Sequence, residues 1–132
     1  MFQLSKKSIS NMQGVHPDLV RVVNRAITLS KIDFGVSEGL RTHDRQIELF
    51  NDHKSTTMNS MHLAQKHTGY SHAVDLFCFD FQGNVTWEHQ WFRLIVQAMF
   101  TAAILENVQI TAGGLWRTFL DSPHFQLDKD YY

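Results

Sequence analysis

The sequence predicts an α+β fold: a small, largely antiparallel sheet with helices packed against it, in one domain spanning residues 1–132. Three observations lead there. The chain has 132 residues, 43% of them hydrophobic, which suits one core that needs no staples. Amphipathic stretches of helical period lie in both halves of the chain. The remaining apolar runs are short, alternate with period two, and are closed by turn residues.

Residues 1–16 are polar and lack periodicity, so they predict an extended arm or a short turn. Pro17 opens the first helix where a missing N–H is tolerated, and Asp18 in its first turn complements the helix dipole. Leu19, Val22, Val23, Ala26 and Ile27 form one apolar stripe that runs out at Ser30. Ile32, Phe34 and Val36 alternate with Asp33 and Gly35 as a half-buried strand. Thr42 is placed to cap a second helix of about ten residues with Ile47 and Phe50 inward. From Asn51 to Tyr70 the chain is polar and aperiodic. A loop that long is usually functional or mobile, and it carries His53, His62 and His67.

Residues 73–79 read as a central strand in which Asp75 shares a face with Ala73 and Phe77. Gln82-Gly83-Asn84 marks the tip of a hairpin turn. Thr86 is expected to cap a long helix from Trp87 to Glu106, with Phe92, Ile95, Val96, Met99, Ala102, Ala103 and Leu105 on its apolar face. Val108, Ile110 and Ala112 alternate as a further strand, ended by Gly113-Gly114. Pro123 suits the first residue of a last strand, with Phe125 and Leu127 on one face and His124 and Gln126 on the other.

Composition removes several function classes. The formal net charge is -1, which gives no electrostatic case for nucleic acid as a partner. No apolar run approaches the roughly 20 residues of a membrane span, so no membrane insertion is expected. The N-terminal residues lack the basic-then-apolar pattern of a signal peptide, which predicts a protein kept in a cytoplasm until something releases it. The single cysteine, Cys78, lies in an apolar run and reads as a small core residue.

The eight histidines are the unusual count, and histidine without cysteine favours a catalytic over a structural metal. Asp75, in the middle of an apolar strand, is costly unless paired or bound to a metal. His124 begins a strand and Asp121 lies three residues earlier on the turn, which suits a ligand beside a proton acceptor. A catalytic zinc takes three protein ligands and keeps one position open. Asp75 and His124 supply two of these, and one histidine of the loop, His62 or His67, completes the set. His72 is expected on the strand face opposite Asp75, and His16, His43, His53 and His89 read as surface or capping residues.

These pieces, in this order, resemble the zinc D-alanyl-D-alanine carboxypeptidase and L-alanyl-D-glutamate endopeptidase family, most closely its small phage endolysins. Ser60-Met61-His62 resembles the family's Ser-x-His, Ala73-Val74-Asp75 its Ala-x-Asp, and Asp121-Ser122-Pro123-His124 its Asp-x-x-His. Gly39-Leu40-Arg41-Thr42 is similar to its Gly-x-Arg-Ser/Thr element, and Gly113-Gly114-Leu115-Trp116 to the segment before the last motif. One spacing departs from the pattern: thirteen positions separate His62 from Asp75, more than the family usually has. An insertion within Leu63–Ser71 would reconcile the two. His67 is nearer the usual spacing but has no serine two positions before it, so the resemblance favours His62.

The resemblance implies Zn²⁺ in a cleft, held by His62, Asp75 and His124, with Asp121 as general base. Arg41 would clamp a substrate carboxylate or steady an oxyanion, unless it is only a surface ion pair; Trp116 would line the cleft or the core. The implied substrate is the peptidoglycan stem peptide, cut between L-alanine and D-glutamate by a chain acting as a monomer. A D,D-carboxypeptidase or dipeptidase is the enzymatic alternative, and a non-catalytic, zinc-stabilised peptide binder is the alternative from another class. A phage lysin of this kind would wait in the host cytoplasm for a pore before reaching the periplasmic wall.

Overall fold

Strand β2 (Ala73–Phe79) is the axis of the sheet, and three other strands pair with it directly. The structure, a computed structural model, describes residues 1–55, 57–113 and 123–132. In chain order its elements are α1 (Lys6–Asn11), α2 (Pro17–Leu29), β1 (Phe34–Glu38), α3 (His43–Asn51), β2, β3 (Val85–Thr86), α4 (His89–Glu106), β4 (Ile110–Ala112) and β5 (His124–Leu127). The sheet runs β1-β2-β5-β4, with β3 also on β2, and all these pairings are antiparallel. The α+β architecture predicted from the sequence is the one found.

The period-two pattern of β2 divides the molecule. Val74, Leu76 and Cys78 are fully buried in the core that α2 and α4 share with the sheet. Cys78 is a free, buried thiol, as its apolar surroundings implied. Each large side chain removed from water there contributes about 1.5–3 kcal/mol. Asp75, Phe77 and Phe79 take the other face and stay half-buried. Residues 124–127 continue the rule: Phe125 and Leu127 enter the core, while His124 and Gln126 share the face of Asp75.

Four details depart from the sequence reading. Residues 6–11 form a helix rather than an arm. Ser5 caps it, the Val36 amide donates to Ser8 Oγ at 3.0 Å, and Asn11 Nδ2 donates to the Val36 carbonyl at 2.8 Å. These side chains satisfy the outer edge of β1, so the helix is selected by tertiary contacts that its short polar sequence does not advertise. In α3, capped by Thr42 as expected, Gln46 and Leu49 are buried, while Ile47 and Phe50 are exposed. The long helix starts at His89, since Thr86 lies in β3 and its hydroxyl accepts from the Glu88 amide instead. Leu105 points to solvent, and Ala98 takes a buried place on that helix. Among the described residues no helix is long and apolar enough to cross a membrane.

Candidate metal centre and its cleft

His62, Asp75 and His124 meet on the sheet face opposite the helical core, although the chain separates them widely. Asp75 and His124 are cross-strand partners in the β2–β5 register, which fixes their directions. His62 Nε2 lies 3.1 Å and His124 Nδ1 3.3 Å from Asp75 Oδ1. The two imidazole rings stand 5.0 Å apart, edge to face. One donor atom from each residue falls within 4.8 Å of the others, so the three could together hold a metal ion.

The unusual spacing between His62 and Asp75 has a local cause. Residues after His62 make an excursion that closes on itself: Ala64 bridges Ser71, and the Gln65 amide donates to the Tyr70 carbonyl. Gly69, at φ +78°, turns the tip in the left-handed region that favours glycine. The His72 amide then bonds the Met61 carbonyl at 2.8 Å, which brings the chain back beside its point of departure. The extra residues therefore loop out without displacing His62.

The outer nitrogens of the two rings are also engaged. His62 Nδ1 lies 2.9 Å from the Gly39 carbonyl, which can only accept. That nitrogen therefore carries the proton, and Nε2 presents a lone pair in the neutral ring. Gly39 itself is packed against α1 and the segment after it, where a Cβ would lie 2.4 Å from the Asn11 carbonyl oxygen and 2.6 Å from Val15. His124 Nε2 lies 2.8 Å from Gln126 Oε1, leaving Nδ1 directed at Asp75. Burial alone would raise the Asp75 carboxyl, but hydrogen bonds and charge from His124 and His62 outweigh it and hold the group below the ordinary carboxylate range. An ionised oxygen thus faces two ring nitrogens. Those hydrogen bonds need protons on the facing nitrogens; with lone pairs there instead, the arrangement is unfavourable until a cation joins the three groups, so the donor set fits a divalent metal.

Arg41 forms the adjoining wall. Its Nε pairs with Glu38, its Nη1 donates to Gln46 Oε1 at 2.7 Å, and its Nη2 stands 3.9 Å from Asp75 Oδ2. The guanidinium is nearly buried, unlike a surface ion pair. Gln46 also donates to Ser55 Oγ and the Thr57 carbonyl, so one buried amide ties Arg41 to the loop. Sequence reasoning missed Gln46; its signal was its position three residues before Leu49, on the same helix face. A cleft of about 720 Å³ runs over the three candidate ligands and is lined besides by Arg41, Lys54, Thr111 and Lys129. Asp121 and Trp116 lie outside the described residues.

His67 and His72 belong to a different cluster. His67 Nε2 bonds the Tyr132 carbonyl oxygen at 2.6 Å, and its ring lies 5.3 Å from His72. His16 caps α2, accepting from the Asp18 amide, and also packs on His72. His72 is fully buried; Thr68 meets its Nε2, while its Nδ1 has no hydrogen-bond partner among the described residues. Burial, then the charges of His16 and His67, push this imidazole from 6.5 down to about 4. The unfolded chain therefore binds the proton more readily than the folded one. Stability from the neutral ring is complete above about pH 6.5 and is lost as pH falls towards 4, by up to about 1.4 kcal/mol per unit. Urea midpoints should fall more steeply over this window in the wild type than in His72→Phe. Parallel curves would remove His72 as the source.

Comparisons with known proteins come down on one side. The family of phage L-alanyl-D-glutamate peptidases matches residues 1–128. The chain belongs to that family. Among solved structures it is similar to the crystal structure of Serratia marcescens L-Ala D-Glu endopeptidase ChiX, at 41% identity and a TM-score of 0.85, over 98% of this chain and 93% of that one. No curated protein matches the chain. The resemblance read from the motifs holds, and the fold around the three candidate ligands is one that an L-Ala D-Glu endopeptidase also has.

Proposed function

We propose that the chain is a zinc-dependent endopeptidase that hydrolyses the L-alanyl-D-glutamate bond of the peptidoglycan stem peptide. Its family membership and its structural match to an L-Ala D-Glu endopeptidase support peptidoglycan hydrolysis. The observation that carries the zinc reading is the convergence of His62 Nε2, Asp75 Oδ1 and His124 Nδ1 on one space, with both outer ring nitrogens already occupied. Two nitrogens and one carboxylate are a donor set zinc accepts with a position to spare. When bound, zinc supplies Lewis acidity, lowering the pKa of water towards about 7 and polarising the scissile carbonyl.

The chain's own residues have the remaining work. Arg41, held by Glu38 and Gln46, presents its guanidinium to the cleft beside Asp75, where it binds a substrate carboxylate or the oxygen on which charge develops. Asp121 accepts the proton of the attacking water and delivers it to the leaving amine. The whole of residues 1–132 acts as one catalytic domain and as a monomer, released from the host cytoplasm to the wall.

The test is lysis of outer-membrane-permeabilised Gram-negative cells, with and without a chelator, followed by mass analysis of fragments from purified sacculi. New alanine C-termini and glutamate N-termini, lost on chelation and restored by zinc, are expected. Fragments that lack only a terminal D-alanine would make it a carboxypeptidase instead. No lysis and unchanged fragments at any zinc level would make it a binder.

A further inference from the structure

We infer that Gln126 is a positioning residue: its side-chain carbonyl holds the proton of His124 on Nε2 and thereby turns Nδ1, as a lone pair, towards Asp75. The inference rests on His124 being a metal ligand. Its starting point is that the two histidines are fixed by unlike partners. For His62 the partner is a backbone carbonyl, which can only accept. For His124 it is a side-chain amide, whose oxygen accepts and whose nitrogen donates; the oxygen stands 2.8 Å from Nε2.

Local geometry explains why a glutamine can do this. His124 and Gln126 are two apart on β5, so both project from the same sheet face. Across the strand, Gln126 is opposite Ala73 on one side and Thr111 on the other, two small side chains. The residue is 6% exposed although it borders the cleft. Burying it without a partner would be costly, and the bond to His124 offsets that cost.

The consequence concerns tautomers. Neutral imidazole carries one proton, and Asp75 Oδ1, 3.3 Å from Nδ1, is a strong competitor for it. A proton on Nδ1 would occupy the lone pair that a metal needs. An acceptor at Nε2 opposes that form, so the ring is set for the cation beforehand.

Two measurements test this on the full chain. The first is the His124 tautomer in metal-free protein at neutral pH, read from long-range ¹H–¹⁵N correlations of ¹⁵N-histidine-labelled material. The second is zinc affinity by chelator competition. The wild type should carry the proton on Nε2. Gln126→Met, which fills the space with only a weak acceptor, should move population to Nδ1–H and weaken zinc binding about 10–100-fold. Gln126→Glu, which keeps an acceptor there, should hold the proton on Nε2 and bind zinc at least as tightly as the wild type. The His62 tautomer should not change in either variant.

A wild-type His124 protonated on Nδ1 overturns the inference without any variant, which matters should Gln126→Met fail to fold. So does a folded Gln126→Met with an unchanged tautomer. A wild type that binds no zinc is a separate failure: it sinks the metal reading, while the tautomer measurement still decides the role of Gln126.

Discussion

His62→Ala should lose both zinc binding and lysis, whereas His67→Ala should keep both. Removing the buried His62 ring leaves Asp75 and His124, one ligand short of the three of a catalytic zinc. The fall in affinity should exceed the roughly 10–100-fold typical of losing an outer partner of a ligand. It would also leave the Gly39 carbonyl without its ring partner. His67 is engaged elsewhere, with Tyr132 and His72, and is absent from the group that converges on Asp75. Chelator competition on the two variants, together with turbidity loss of permeabilised cells, separates them. If His67→Ala loses zinc while His62→Ala retains it, the ligand set is wrong.

The choice between those histidines marks the boundary of what the sequence could disclose. Asp75 and His124 were legible because strands impose strict alternation. A carboxylate among Val74, Leu76 and Phe77, and a histidine between Pro123 and Phe125, each receive a face from the backbone alone. His62 sits in a stretch with no period, so local pattern gave it no direction, and the motif resemblance had to supply one. Its position depends on its bond to the Gly39 carbonyl, on the Arg41 amide that donates to its own carbonyl, and on the excursion closed by Ala64 and Ser71.

The same limit explains the errors. Residues 6–11 are helical because Ser8 and Asn11 satisfy the edge of a strand far along the chain. The inward face of α3 serves an arginine and a loop, so it buries Gln46 where an apolar stripe was expected. Hydrophobic periodicity reports burial against an apolar core, and neither of these surfaces is one.

Asp121→Ala should lower turnover by about 10²–10⁴-fold, the usual contribution of a positioned proton acceptor, and leave zinc stoichiometry unchanged. A group that acts only in the transition state lowers kcat and kcat/KM together, with KM almost unmoved. Loss of a metal ligand would instead show as lost zinc. The competing role, a turn or capping residue, calls for an oxygen acceptor and no proton transfer, so Asp121→Asn separates the two. Asparagine can still accept from a backbone amide but cannot take a proton from water. If Asp121→Asn is as inactive as Asp121→Ala while its urea midpoint matches the wild type, the carboxylate acts through its basicity. If Asp121→Asn restores turnover, the residue only shapes the turn before His124, and the base must be sought elsewhere along the cleft, beginning with Glu38.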